Sequence, residues 1–315
     1  MCPDIICAGE MLVEIMRAEV GVPHLQVGGL YKGPFPSGAP CIFIDSAARM
    51  AKARKLTTGF IGTIGNDDFG RVIVDKMKAD GVDCSPVNTR DGFTTGVAFV
   101  QYNKDGSRKF IFAAGAAGQL SDADIQPEFF EGVKDFHVMG SAMSISPTSK
   151  NAVLKCIDLT IENGGIVSFD PNLRAEMMPL DQIREMVQPV IAKTKILLPS
   201  GEEAMLLTGD EDANAACENL LTMGPEIVVL KEAKDGCTIY AKDEEPFKVP
   251  AFKVKEVDPT GAGDSFGGAF VVEYLNSVPL KEAARFANAV GALKVTSFGP
   301  MASHSRDEVQ KFMKK

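Results

Sequence analysis

The sequence predicts an α/β fold in three layers, a mostly parallel central sheet covered on both faces by helices, with a small β attachment. Three observations lead there. From Phe136 onward, short apolar runs of strand length alternate with longer runs of helical spacing, the cadence of a covered parallel sheet. Near the C-terminus a strand-like segment, Phe252 to Val257, leads through a glycine turn into a helix-like segment from Gly263 to Tyr274. Two stretches of the N-terminal half, about 15–36 and 94–113, read instead as short strands and turns.

Taken in order, Ile5-Ile6-Cys7-Ala8 is an apolar strand that ends at Gly9. Residues 20–40 are dense in glycine and proline, which suits loop or short edge strands rather than helix. Ile42 to Ala53 is helix-like. Gly59 to Gly65 is a strand with glycine ends, and Asn66-Asp67-Asp68-Phe69-Gly70 opens a helix from Arg71 to Ala79. The glycines of 59–65 do not keep the G-x-G-x-x-G spacing of a dinucleotide site. Thr94 to Phe112 alternates in part, and Asn103-Lys104-Asp105-Gly106 is a turn, so Val97–Gln101 and Ser107–Phe112 form a hairpin. The small residues Ala113 to Ala117 suit close approach by a ligand or tight packing.

In the C-terminal half the strands are Phe136–Met139, Ile166–Phe169, Ile196–Leu198 and Ile227–Leu230. The helices are Ser149–Glu162, Leu180–Ile191, Glu202–Leu207, Ala213–Leu221 and, beyond the glycine turn, Leu280–Val295. Functional side chains are expected at the carboxyl ends of such strands, where Asp170, Ser200 and Lys231 stand.

Composition excludes several function classes. The formal net charge is −9, so a nucleic-acid partner is not expected. No apolar run approaches a membrane span. Seven scattered cysteines without C-x-x-C pairing read as free thiols in a reducing compartment. His24, His137 and His304 are too dispersed for a metal cluster. The N-terminus lacks the basic flank and long apolar run of a signal peptide, so a cytoplasmic protein is expected. Without repeats or low-complexity linkers, 1–315 reads as one domain.

The chemistry concentrates at Thr260-Gly261-Ala262-Gly263-Asp264. A strand-to-helix turn of small residues can aim consecutive backbone N–H groups at an anion. Asp264 lies beside that anion site, in the first helical turn. One reading is an acidic helix cap. The other is catalytic. A carboxylate there repels a bound phosphate, a poor arrangement for binding alone, yet a sensible one if it takes the proton of an alcohol attacking phosphorus.

The run from Asp258 to Phe270 resembles the C-terminal signature of the ribokinase-like (PfkB) carbohydrate kinases. The likeness extends over nearly the whole chain, through Gly9-Glu10, Asn66 to Gly70 and Asp170-Pro171-Asn172-Leu173-Arg174. It implies a three-layer ribokinase-like domain whose inserted segments, about 15–36 and 94–113, join as a β lid over the sugar and mediate a homodimer. It implies ATP and Mg2+, with a monovalent cation such as K+ behind the turn.

Residue by residue, the resemblance makes Asp264 the catalytic base and the backbone of Gly261, Ala262 and Gly263 the anion hole. Glu14 and Gly38 are placed at the sugar. Ile42 stands where the family carries a sugar-binding asparagine, and Asp45, one helical turn on, is the expected substitute. Phe99, Tyr102 and Phe112 either close over the ligand or pack the small sheet. Arg108 and Lys109 are anion contacts or a solvated pair. Arg174 resembles the residue that holds the acid group in ketodeoxygluconate kinases. Asp170 resembles a residue near magnesium and phosphates, and Lys231 one that approaches the phosphates. Glu203 resembles an acid that holds magnesium through water, with Ser200 in the usual asparagine position; the same two residues also spell a capping box. Asn288 and the loop containing Gly299 resemble the adenine-side wall. Asp258 and Thr260 resemble ligands of the monovalent cation.

The expected activity is ATP-dependent phosphorylation of a hydroxyl of a small sugar or sugar acid, with 2-keto-3-deoxygluconate and fructose leading. A nucleoside or cyclitol kinase of the same fold, or a catalytically silent sugar- or nucleotide-binding protein, are the alternatives. A Rossmann dehydrogenase is more distant.

Overall fold

The computed structural model describes residues 2–173 and 178–314. Its strands are β1 (Ile5–Ala8), β2 (Leu12–Arg17), β3 (Tyr31–Ser37), β4 (Thr58–Gly65), β5 (Val82–Asp83), β6 (Val87–Arg90), β7 (Gly96–Tyr102), β8 (Arg108–Ala113), β9 (Asp135–Met139), β10 (Ile166–Asp170), β11 (Ile196–Leu197), β12 (Ile227–Lys231), β13 (Cys237–Ala241) and β14 (Phe247–Val249). The helices are α1 (Ala39–Ala51), α2 (Asp68–Asp80), α3 (Gly140–Ser144), α4 (Pro147–Glu162), α5 (Leu180–Ile191), α6 (Gly201–Thr208), α7 (Ala213–Thr222), α8 (Ala262–Leu275), α9 (Leu280–Lys294) and α10 (Arg306–Phe312).

The large sheet runs β14-β13-β12-β11-β10-β9-β1-β4-β5, with β6 also paired to β4. From β12 to β5 every pairing is parallel, and β13 and β14 close one edge antiparallel. The second sheet, β3-β2-β7-β8, gathers the two Gly- and Pro-punctuated stretches. The chain enters it directly from β1, three residues before β2, and leaves it from β3 into α1. It therefore sits at the carboxyl end of the large sheet, where α/β folds place their chemistry.

The central strands are mostly apolar and buried on both faces, as a sheet covered by two helical layers requires. Helix α8 is buried along most of its length because it lies against both α1 and α9. Its small residues allow this. A Cβ on Gly268 would stand 2.5 Å from the Phe43 carbonyl oxygen of α1. Inside the sheet Asp135 accepts from Ser168 Oγ at 2.9 Å, and His137 Nδ1 meets the same hydroxyl at 2.7 Å. The His137 ring is stacked on Phe43 with centroids 3.5 Å apart.

One expected strand is absent. Phe252 to Val257 runs without a sheet partner. The Val257 N–H goes to the Val295 carbonyl at 2.7 Å, and Phe252 packs on Phe312. The alternating Phe-Lys-Val-Lys-Glu-Val segment stays extended on the surface, with Lys253, Lys255, Glu256 and Val257 exposed and Phe252 alone packed on α10. Conversely, the antiparallel pair β13–β14 and short strands β5 and β6 lie where the sequence reading placed no strand. No helix among the described residues is long and apolar enough to cross a membrane.

Candidate active site

A cavity opens between the small sheet and the carboxyl ends of the large sheet's strands. Its floor holds Asp170, Ser200 and Lys231, the ends of three neighbouring strands, together with Gly261, Gly263 and Asp264 at the start of α8. Its roof holds Glu14, Arg108, Phe110 and Phe112 from the small sheet.

The turn at the floor is fixed by sterics. Gly261 has φ +76°, and a Cβ there would lie 2.3 Å from the Pro300 carbonyl oxygen. Only glycine sits there without strain. Ala262, expected in the anion hole, follows as the first residue of α8, but its N–H turns back to the Pro259 carbonyl at 3.2 Å, and the N–H of Gly263 comes next at the helix N-terminus. Asp264 lies in that first turn, and Asn172 Nδ2 donates to its Oδ1 at 3.4 Å. Asn172 itself has φ +39°, and its N–H bonds back to Asp170 Oδ1 at 3.2 Å. The β10 loop passes so close to α3 that a Cβ on Gly140 would meet the Pro171 carbonyl at 1.8 Å.

The Lys231 ammonium is ion-paired with Asp170, and a Cβ on Gly263 would lie 3.6 Å from Lys231 Nζ. Burial opposes the charge on Lys231, but Asp170, Glu203 and Asp264 together outweigh it and raise its pKa. Three acids thus share one ammonium. The most buried, Asp170, is pushed up to about 7 by desolvation, with Lys231 opposing and the other two acids assisting. A fixed cation stands over the helix N-terminus, at the end of the cavity suited to phosphate.

At the other end Glu14 Oε1 accepts from Ser37 Oγ at 2.7 Å, and Glu10 Oε1 accepts from Ser141 Oγ at 2.7 Å. Both carboxylates are buried and face the cavity. Gly38 brings the start of α1 to this wall. Its φ is +107°, and a Cβ would come within 2.3 Å of the Glu10 carbonyl oxygen. Ile42 lines the wall one turn along α1.

Behind the turn, Asp258 Oδ1 accepts from Thr260 N at 3.0 Å and Tyr102 OH at 2.9 Å, and Oδ2 accepts from Gly299 N at 2.9 Å. Tyr102 OH is also 2.7 Å from Thr260 Oγ1, and Arg108 Nη1 reaches that oxygen at 3.4 Å. Lys294, with no exposed surface, donates from Nζ to the Asp258 carbonyl at 2.8 Å. Burial would raise the Asp258 pKa, but the Lys294 charge and the Thr260 and Gly299 N–H groups hold it below the ordinary carboxylate value.

Several expected residues lie elsewhere. Asp45 does not stand in for the missing asparagine. It is fully buried against Arg49 Nε at 3.2 Å and Lys76 Nζ at 3.1 Å, a cluster that ties α1 to α2. Phe99 is on the wrong face of β7. Register pairs Val100 with Phe110 and Ala98 with Phe112, so the alternation of a strand sends Phe99 to the opposite side, edge-on to Tyr31. The aromatic pair facing the cavity is Phe110 and Phe112, stacked with centroids 5.3 Å apart. Asn288 donates to the Val249 and Pro250 carbonyls at 3.0 and 3.3 Å, fastening α9 to β14 rather than lining this cavity. Gly299 clamps Asp258, and a Cβ there would meet Phe35 at 3.1 Å. Glu203 faces the cavity, yet its oxygens accept from Leu173 N at 2.9 Å and Ser200 N at 2.7 Å, the capping box in place of an open ligand position. Arg174 lies outside the described residues. Glu10, Ser141, Phe110 and Lys294 were not singled out as site residues from sequence. Glu10 was detectable as an acid next to a strand-end glycine; the others depend on long-range placement.

Comparison with known proteins now decides the class. The model of the pfkB family carbohydrate kinases matches residues 5–307. The chain belongs to this family. Fructokinase-1 of Oryza sativa subsp. japonica is 31% identical over 323 residues, covering 98% of this chain and 97% of the relative. The E. coli protein named "putative Ribokinase II", solved with ATP and Mg2+, superposes with a TM-score of 0.91 at 37% identity, with 99% of each chain covered. A fructokinase of Vibrio cholerae O395, solved with fructose, ADP and calcium, gives a TM-score of 0.83 at 25% identity, covering 98% of this chain and 99% of that one. As a pfkB carbohydrate kinase with the ribokinase-like fold, the chain is an ATP-dependent sugar kinase.

Proposed function

We propose that this kinase phosphorylates a hydroxyl of a neutral sugar, with fructose the first candidate, using MgATP. The observation that carries the reading is one cavity with two opposed ends. Asp264, Lys231 and the α8 N-terminus form an anion-accepting end, while Glu10 and Glu14 form a carboxylate-rich end. Buried carboxylates accept hydrogen bonds from sugar hydroxyls and repel an acid group. The fructokinase relatives support the same choice.

In this reading Asp264 takes the proton of the attacking hydroxyl, and Asn172 holds the carboxylate in place. The N–H groups at Gly261 and Gly263 and the Lys231 ammonium stabilise charge on the transferring phosphoryl oxygens, with Ala262 keeping the turn free of bulk. The acid set suits magnesium only through water and nucleotide. Asp170 is committed to Lys231 and Glu203 to backbone N–H groups, and the described residues hold no cluster of three or more metal-ligating side chains. Magnesium that arrives with ATP neutralises phosphate charge. The small sheet acts as a lid that excludes water, closing with Phe110 and Phe112 over the sugar.

Two further parts of the reading concern context. The chain forms a homodimer through the small sheet, supported by exposed Leu25, Val27, Leu30 and Ile111 in and beside it. It works in the cytoplasm, supported by seven free cysteines. A second substrate reading, 2-keto-3-deoxygluconate, is favoured by Arg108 on the roof. A coupled ADP-release assay separates the readings, with Mg-ATP and a panel of fructose, ribose, 2-keto-3-deoxygluconate, nucleosides and cyclitols. Saturable turnover on a neutral hexose is expected. Turnover confined to the keto acid would replace the neutral-sugar reading, and ATP binding with no turnover on any acceptor would leave a binding protein.

A further inference from the structure

We propose that Lys294 is a built-in cation: its side chain takes the place of a monovalent metal ion behind the phosphate-binding turn, so that this kinase works without potassium. The inference rests on the kinase reading above and departs from what the family resemblance implies for Asp258 and Thr260.

The argument is geometric. A monovalent cation behind this turn needs oxygens that are free to converge on it. Here the side-chain oxygens of Asp258 and Thr260 and the Asp258 carbonyl are already engaged. Both Asp258 carboxylate oxygens accept from protein donors, Thr260 N, Tyr102 OH and Gly299 N. Thr260 Oγ1 is engaged by Tyr102 and Arg108. The Asp258 carbonyl, an oxygen of the kind that would face an ion, accepts the Lys294 ammonium at 2.8 Å. Lys294 is the last residue of α9 and has no exposed surface. A fully buried lysine is rare unless paired, because desolvation of its charge is costly. Burial lowers its pKa, with Asp258, Glu14 and Asp264 opposing that shift and Arg108 adding to it from the roof. Its backbone neighbour Val295 accepts the N–H groups of Val257 and Asp258 at 2.7 and 3.1 Å. The start of the turn therefore hangs from the end of α9 by its backbone, with the lysine charge fixed against it.

Placed there, the ammonium does what a bound cation would do. It orients the Asp258 carbonyl and adds positive potential behind N–H groups that face the phosphoryl group. Lys294 is a positioning residue, since it touches the turn and not the reacting atoms.

The test compares the full-length wild type and Lys294→Met in potassium chloride and in tetramethylammonium chloride at equal ionic strength. Turnover and the melting temperature without substrates are both read. The wild type is expected to show the same kcat and the same melting temperature in the two salts. Lys294→Met is expected to lose roughly 10²-fold in kcat in tetramethylammonium, the scale of removing one preorganised electrostatic group. Potassium should restore part of that loss and raise the variant's melting temperature. A wild type that requires potassium overturns the proposal. So does a Lys294→Met enzyme with unchanged kcat, or one that is impaired without any potassium effect on turnover or melting. Should Lys294→Met fail to fold, Lys294→Gln replaces it, and the wild-type comparison still decides. Absence of turnover in both salts would count against the kinase reading itself, while the melting temperatures would still report on the cation.

Discussion

Gly261→Ala is the perturbation whose consequences the structure specifies most closely. The residue has φ +76°, a conformation that costs an L-residue about 1–2 kcal/mol. The new Cβ would also stand 2.3 Å from the Pro300 carbonyl oxygen and 3.1 Å from Ile42 Cγ2. Pro300 or the turn must shift by roughly 1 Å to reach ordinary contact, and a misplacement of that size can cost about 10²-fold in rate. Stability should therefore fall by about 2–3 kcal/mol, and kcat by about 10²-fold or more. Gly263→Ala is the control. Its φ is helical, and its Cβ would meet nothing nearer than Lys231 Nζ at 3.6 Å. A helical Gly→Ala change gains about 0.5–1 kcal/mol, so that variant should melt no lower than wild type while losing activity as its methyl group enters the phosphate end. Urea unfolding and steady-state ADP release on the two variants give the comparison. If Gly261→Ala matched wild type in both stability and kcat, the described turn would be wrong.

Three other outcomes are expected. Asp264→Asn should lower kcat by about 10²–10⁴-fold with little change in sugar KM, the range for losing a general base; kinetics over both substrates checks it. Asp45→Ala should cost about 3 kcal/mol by urea unfolding, because Arg49 and Lys76 lose a buried partner, while sugar KM stays within about twofold of wild type. Burial pushes Asp135 up to about 8, with hydrogen bonds from Ser168 opposing. Its folded pKa lies above its unfolded value, so its favourable contribution is full below about pH 4 and is lost as pH rises through about 8. Asp135→Asn should thus melt higher than wild type near pH 9, by an amount worth at least about 1 kcal/mol, and by less near pH 5.

Much of the fold is legible because the β–α cadence is a local signal. Strands β9, β10 and β12 and helices α4, α5, α7, α8 and α9 lie where apolar period and length place them. Strands β13 and β14 and the unpaired segment 252–257 are not legible in the sequence, because strand pairing is a long-range event and an alternating segment can remain unpaired on the surface. At the site, the phase of β7 decides between Phe99 and Phe110, and one residue of register reverses the answer. Asp45 looked available because i and i+3 share a helix face, but the ion cluster on α2 captures it. Ser200 and Glu203 carry a motif with two meanings, of which the capping box is the one formed. Lys294 carries no sequence signal, since nothing near it in the chain says that its ammonium reaches back to Asp258.

Tyr102 gives the small sheet and the phosphate-binding turn a shared fate. Its hydroxyl, carried on β7, donates to the Asp258 carboxylate and is bonded to the Thr260 hydroxyl. Swinging the sheet away breaks both contacts, and at about 1 kcal/mol each the opened form starts roughly 2 kcal/mol behind. A lid held by those two bonds alone would be open a few per cent of the time before any ligand contributes. Opening would also deprive Asp258 of one of the donors that hold the turn. If the sheet moves as the proposed lid, the cover and the turn move as one cooperative unit, and sugar binding adds to a closed form that these bonds already favour.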